Sequence, residues 1–73
     1  MEKNGYPIEP GEYLYRADLA LAILSGENLS GADLRRADLT MANLTGADLS
    51  DAYLFNAYLI GTNLTGANLI GAD

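Results

Sequence analysis

The sequence predicts an all-β solenoid, a chain that coils around its own leucines. Three observations carry this. Leucine returns at every fifth position without a break: Leu14, Leu19, Leu24, Leu29, Leu34, Leu39, Leu44, Leu49, Leu54, Leu59, Leu64 and Leu69. Alanine occupies most positions two residues before these leucines, and aspartate or asparagine most positions one before. Such an internal period constrains the fold more than any local propensity does.

Neither regular element can use a period of five. Five residues advance an α-helix by about 140°, so the leucines would scatter around every side. The abundance of Asp, Asn, Gly and Thr disfavours a helix as well. In a flat strand the side chains alternate, and an odd spacing sends successive leucines to opposite faces. Every leucine stays inside only if the chain takes a short extended step and then turns a corner, once per repeat. Aspartate and asparagine suit such bends, because they tolerate unusual backbone angles and bond their own backbone. The two residues after each leucine vary among Ser, Thr, Gly and charged types.

The number of corners per coil is open from composition, which leans slightly to four. Four corners predict similarity at a spacing of twenty, as in Arg16 with Arg36, Leu21 with Met41, and Gly26, Gly46, Gly66. Three predict fifteen, as in Gly31, Gly46 and Gly61. The motif A-[D/N]-L-x-x, read in "ADLRR", "ADLTM", "ANLTG" and "ADLSD", resembles the pentapeptide-repeat family, and the resemblance covers residues 12–73. It implies a right-handed quadrilateral parallel β-helix of about three coils, four pentapeptides each, with the leucine and the alanine two before it inward. Physical chemistry agrees: four leucines fill a narrow axis, and the other inward position must then be small. At ~4.8 Å per coil the expected rod is about 15 Å long, each coil touching only its neighbours.

Residues 12–73 are thus the expected β-helix and residues 1–11 an N-terminal capping segment. Tyr6, Pro7 and Ile8 can cover the first coil, and Pro7 and Pro10 cannot extend a ladder. At the other end the sequence stops in mid-repeat, at "GANLIGAD", leaving Leu54, Leu59, Leu64 and Leu69 as an uncovered layer. Either a second copy or further coils cover it. The expectation is a homodimer through this end-to-end capping layer.

Three inward positions break the alanine rule: Glu12, Glu27 and Thr62. The two glutamates, both in the first coil, are expected at a rim, bonded to free backbone N–H groups. A raised-pKa acid with a chemical role would need a partner that the sequence does not supply. The Thr62 hydroxyl is expected to bond adjacent backbone.

Stacking by twenty aligns Tyr13, Asp33, Tyr53 and Asp73 in one column and Tyr15, Arg35, Phe55 in another. The next side carries Asp18, Asp38, Tyr58 beside Ala20, Thr40, Ile60. Tyr53, Phe55, Tyr58 and Ile60, with the Arg35 and Arg36 corner, form a candidate interaction patch for a protein partner. The competing reading is an aromatic ladder that stabilises the coil without any partner.

Chemistry is sparse. The chain has no histidine and no cysteine, hence no usual general base, thiol nucleophile, disulfide or thiolate metal site. Ser25, Ser30 and Ser50 recur at the variable outward position and are expected to have no base beside them. The glycines follow the repeat rather than a phosphate-binding loop. Asp33 with Asp38, and Asp48 with Asp51, read as bend residues rather than metal ligands. No enzyme, cofactor or metal is expected.

The net charge of -6, with only Lys3, Arg16, Arg35 and Arg36 basic, argues against direct binding of nucleic acid or an anionic membrane. No apolar run reaches membrane-spanning length and the start lacks a signal stretch, so the cytoplasm is expected, with the periplasm or another lumen left open. The expected function is a non-enzymatic structural or protein-interaction module. The resemblance implies one alternative, since some family members mimic DNA and inhibit DNA gyrase. Duplex DNA shows a charge every ~1.7 Å, about nine along ~15 Å. The repeats carry eight acidic residues and three arginines scattered over four sides. The gyrase-directed members are also longer, with phenylalanine at many central positions where all twelve here are leucine.

Overall fold

The computed structural model describes residues 2–73. Each leucine carbonyl accepts a hydrogen bond from the backbone N–H three residues on, as from Ala17 to Leu14, Ala37 to Leu34 and Ala67 to Leu64, all at 3.0 Å. The second residue after each leucine has a positive φ. A negative φ followed by a positive one under such a bond is a type II turn, which glycine fills without strain. Gly26, Gly46 and Gly66 do so along one whole corner, at φ 71°, 68° and 70°. Arg16, Leu21, Arg36, Met41, Asp51 and Asn56 adopt the same backbone at φ 60–64°, which costs about 1 kcal/mol each relative to glycine.

The aspartates and asparagines stand elsewhere than at these strained angles. Their slot precedes the leucine, where Asp18, Asn28, Asp33, Asp38, Asn43, Asp48, Asn63 and Asn68 each accept a bond from the backbone N–H two residues on. This Asx turn pre-bends the chain into the corner. The expected self-bonding is present. The expected unusual angles belong to the position two after the leucine, which aspartate and asparagine fill only at Asp51 and Asn56.

Coil meets coil at a spacing of twenty. Tyr13 bridges Asp33 and Asp33 bridges Tyr53, in parallel, and the series continues through Asp48 with Asn68. In each step a leucine N–H donates up the stack, Leu34 to the Tyr53 carbonyl at 2.7 Å, while the Tyr53 N–H donates back to Ala32 at 2.9 Å. One turn therefore takes twenty residues and four corners, and the spacing of fifteen is not used.

The core is the axis. Leu14 through the eighth leucine, Leu49, are 0–1% exposed, with Ala17, Ala22, Ala32, Ala37, Ala42, Ala47 and Ala52 buried beside them. Glu12 and Glu27 are half-buried at the first-coil ends of two inward columns. Neither carboxylate bonds a backbone N–H among the described residues, so openness to water, rather than the expected bonding, accommodates them. The Thr62 hydroxyl does bond adjacent backbone, donating to the Leu39 carbonyl of the neighbouring coil at 2.7 Å.

Ahead of the repeats lie β1 (Glu2–Lys3) and β2 (Tyr6–Pro7), an antiparallel hairpin. Asn4 and Gly5 between them have φ 52° and 88°, the two-residue turn for which Asn-Gly is the strongest sequence signal. The Asn4 amide donates to the Asp18 and Ala20 carbonyls at 3.3 and 3.1 Å. Those are carbonyls that a preceding coil would otherwise have satisfied. Ile8 is buried on the axis and Tyr6 packs against the same cluster. The whole measures 24 × 24 × 23 Å. The molecule is as wide as it is long, not the expected rod, because the sides of the square match the height of the stack and the hairpin extends it.

Candidate interaction surface

The patch residues all lie outside. Tyr53, Phe55, Tyr58 and Ile60 are 51%, 63%, 59% and 75% exposed. Their rings do not form a ladder: the ring pair among the described residues is Tyr13 with Tyr15, at 6.1 Å in the first coil. Asp33 separates Tyr13 from Tyr53, and Arg35 separates Tyr15 from Phe55, since neighbours in a column come from successive coils.

The two arginines of the patch are placed differently. Arg35 binds the Asp33 carboxylate through Nε at 2.9 Å and Nη2 at 2.8 Å, and its guanidinium lies 5.1 Å from the Tyr15 ring centroid. It turns toward the first coil. Arg36 instead lines shallow grooves with Asn56 and Tyr58 and, on the other side, with Arg16 and Asp38. The structure thus joins Arg36 to Tyr58, and places Arg35, tied to Asp33 and Tyr15, along a second shallow groove with Tyr53 and Asp73.

The last leucine layer is the least buried among the described residues. Leu59 and Leu69 are 37% and 42% exposed and Leu54 and Leu64 half-buried, against the buried leucines of the other layers. Asp73 covers part of this end, its backbone bonded to Leu54 and Ala52. Around the other three sides the N–H groups of Leu59, Leu64 and Leu69 and the carbonyls of Ala57, Thr62 and Ala67 have no partner among the described residues. A second property of this coil went unread in the sequence although it is visible there. Residues 52–72 contain no charged side chain, whereas nine acidic and four basic residues lie before them.

Little chemistry is assembled. The Ser50 hydroxyl donates to the Asp48 carboxylate at 2.6 Å, so a carboxylate does stand beside a serine, contrary to the expectation from sequence. That same bond holds the Asp48 pKa below its ordinary value, which makes it a poor base. No group of three or more potential metal ligands occurs among the described residues. No helix there is long and apolar enough to cross a membrane.

Three carboxylates are shifted down: Asp33 by its Arg35 hydrogen bond, Asp38 by Thr40 and Asp48 by Ser50. A folded pKa below the unfolded value of 3.8 contributes stability that is present above that value. It is lost as pH falls through the folded pKa. The unfolding temperature is therefore expected to hold from neutrality to about pH 4 and to drop below it. Asp48→Asn, which keeps the Asx turn as Asn28 and Asn43 do, should make that acid-side drop shallower; a thermal melt series across pH measures both.

The family model for pentapeptide repeats matches residues 13–51 and 47–73, in eight copies. The chain belongs to the pentapeptide-repeat family. This pentapeptide-repeat chain is similar to a crystal structure of a pentapeptide repeat protein from the thylakoid lumen of Arabidopsis thaliana. The TM-score is 0.68 at 29% identity, covering 85% of this chain and 50% of that one. HetL, a pentapeptide repeat protein involved in heterocyst differentiation regulation in the cyanobacterium Nostoc sp., is 41% identical. That match covers 88% of this chain and 35% of HetL, with a TM-score of 0.37. The pentapeptide-repeat chain thus spans half or less of the length of these two proteins. A comparison with curated protein sequences returns no match.

Proposed function

We propose that this pentapeptide-repeat chain is a non-enzymatic protein-interaction module that docks a protein partner through its last coil. Residues 12–73 form a right-handed quadrilateral β-helix of about three coils, and residues 1–11 cap it; Met1 lies outside the described residues. One observation carries the proposal. Tyr53, Phe55, Tyr58 and Ile60 are more than half exposed on a coil whose residues 52–72 bear no charge. Contiguous exposed apolar surface marks contact sites, and depletion of charge with enrichment of aromatics is the signature of an interface core. Arg36, beside Tyr58, supplies a polar rim.

The DNA-mimic alternative draws on family resemblance and loses support here. A mimic needs carboxylates in place of phosphates, and the last coil offers none before Asp73. A cytoplasmic setting suits a chain without cysteine, as a lumen does.

A photo-crosslinking amino acid placed at position 55, and separately at position 30 on a Ser/Gly side, tests the proposal in cells. A discrete adduct from position 55 and none from 30 is expected. Adducts from neither position, or equally from both, contradict it. Inhibition of DNA gyrase supercoiling by the chain, relieved by neutralising Asp18, Asp33, Asp38 and Asp48, would establish the mimic instead.

A further inference from the structure

We infer that Asn4 is a site of spontaneous covalent modification, where conversion to aspartate or isoaspartate unclamps the N-terminal hairpin from the first coil. The site lies apart from the docking surface and stands whether or not that surface binds a protein.

A backbone nitrogen can attack the side-chain amide carbon of the asparagine before it when its N–H is free and its own residue leaves room. The chain has six asparagines, Asn4, Asn28, Asn43, Asn56, Asn63 and Asn68, and Asn4 is the one followed by glycine. Gly5 is exposed, and open space surrounds the position that a Cβ would take. Its N–H has no partner among the described residues. Elsewhere the corresponding nitrogen is occupied. Those of Leu29, Leu44 and Ala57 donate to the carbonyls of Asp48, Asn63 and Leu54 at 2.7, 2.8 and 2.9 Å. Asn63 and Asn68 precede leucines, whose branched side chains crowd the nitrogen, and their own Oδ1 atoms are held in Asx turns.

The reaction balances with water alone. The Gly5 nitrogen gives up its proton and bonds to Asn4 Cγ, while the Cγ–Nδ2 bond breaks and Nδ2 leaves as ammonia, taking up that proton. Water then opens the cyclic imide. Opening at Cγ leaves aspartate, and opening at the backbone carbonyl leaves isoaspartate, whose main chain runs through Cγ. Base strips the proton from the attacking nitrogen, so the rate rises with pH. In the native turn the Asn4 amide is held by its hydrogen bonds, and attack waits on local opening. A hairpin of two residues per strand opens far more readily than a packed core.

Asn4 is also the residue that ties the hairpin down. Its Nδ2 donates to the Asp18 and Ala20 carbonyls at 3.3 and 3.1 Å. Among the described residues these are the hydrogen bonds that join residues 2–8 to the repeats. Either product replaces the donor by a carboxylate, which only accepts, and sets it against two carbonyl oxygens. Isoaspartate also adds a methylene to the main chain of a two-residue turn whose φ angles of 52° and 88° suit Asn-Gly. What the hairpin holds in place, Ile8 on the axis and Tyr6 against the same cluster, is then free to lift. Loss of ammonia is irreversible in water, so a cap once unclamped stays so.

Incubation of the chain at neutral and at mildly alkaline pH, followed by peptide mapping with mass spectrometry, tests the site. Asn4 is expected to show the mass gain of amide-to-acid conversion, faster at the alkaline pH and with isoaspartate among the products. The other five asparagines are expected to stay intact over the same period. Anion exchange separates the converted chain by its extra negative charge. Its melting temperature is expected about 4–8 °C below that of the unconverted chain, the shift that loss of a hydrogen bond makes in a domain this small. Asn4→Asp should share the lowered melt, and the converted native chain, folded before it reacts, gives the comparison without a variant. No conversion at Asn4, or conversion of Asn43 or Asn56 at an equal pace, overturns the site. Conversion that leaves the melting temperature unchanged overturns the clamp.

Discussion

Leu39→Ala is expected to destabilise the chain by about 3–5 kcal/mol, most of the ~5–10 kcal/mol available to a domain this small. Leu39 is fully buried in the middle layer with Leu34, Leu44 and Leu49, and coils above and below prevent collapse of the cavity. Both the lost transfer energy and the cavity therefore count in full. Leu59→Ala removes the same atoms from a position already 37% exposed, and about 1–2 kcal/mol is expected, since water or the neighbours can fill the space. Urea unfolding of the two variants side by side measures the contrast. Equal losses would mean that the axis is not a close-packed core.

Ala47→Glu is expected to prevent folding, a loss of about 4 kcal/mol or more. The same column carries Glu27 one coil earlier, so the effect arises from depth and not from residue type. At 27 the carboxylate is half-buried and reaches water; at 47 the side chain is fully buried, in a column between Glu27 and Ala67 of the adjoining coils. The complementary change, Glu27→Ala, should leave stability unchanged or slightly higher. Circular dichroism and thermal melts of both variants provide the readout. A folded Ala47→Glu protein would show that the inward alanines are not held to small size by the packed axis.

These contrasts indicate how much was legible in the sequence. The leucine spacing excluded helix and flat strand on geometry alone, and the alanine column followed from the narrow axis. The corner chemistry was half legible. Asp and Asn were rightly expected to bond their own backbone, but the positive φ falls two residues after the leucine. The signal was present in Gly26, Gly46 and Gly66, and was obscured because Arg16, Leu21, Arg36 and Met41 tolerate the same strain. The hairpin was signalled by Asn4-Gly5, yet Asn4's role as a donor to the Asp18 and Ala20 carbonyls depends on a contact fourteen and sixteen residues away, which no local pattern reveals. The patch residues could be placed by column arithmetic. The orientation of Arg35 toward Asp33 and Tyr15 could not, because it is decided by side-chain rotamers rather than by register. The absence of charge from residues 52–72 needed only counting, and gains meaning once those residues are known to form one coil.

Everything above depends on the chain closing on itself after twenty residues, and scalar couplings transmitted through backbone hydrogen bonds test that directly by NMR. The Leu34 amide nitrogen is expected to couple to the carbonyl carbon of Tyr53, and Leu39 and Leu44 to those of Tyr58 and Asn63, matching bonds of 2.7, 2.9 and 2.8 Å. Couplings from the same amides to carbonyls five residues nearer in sequence would mean three corners per coil, and would contradict the columns and the patch together.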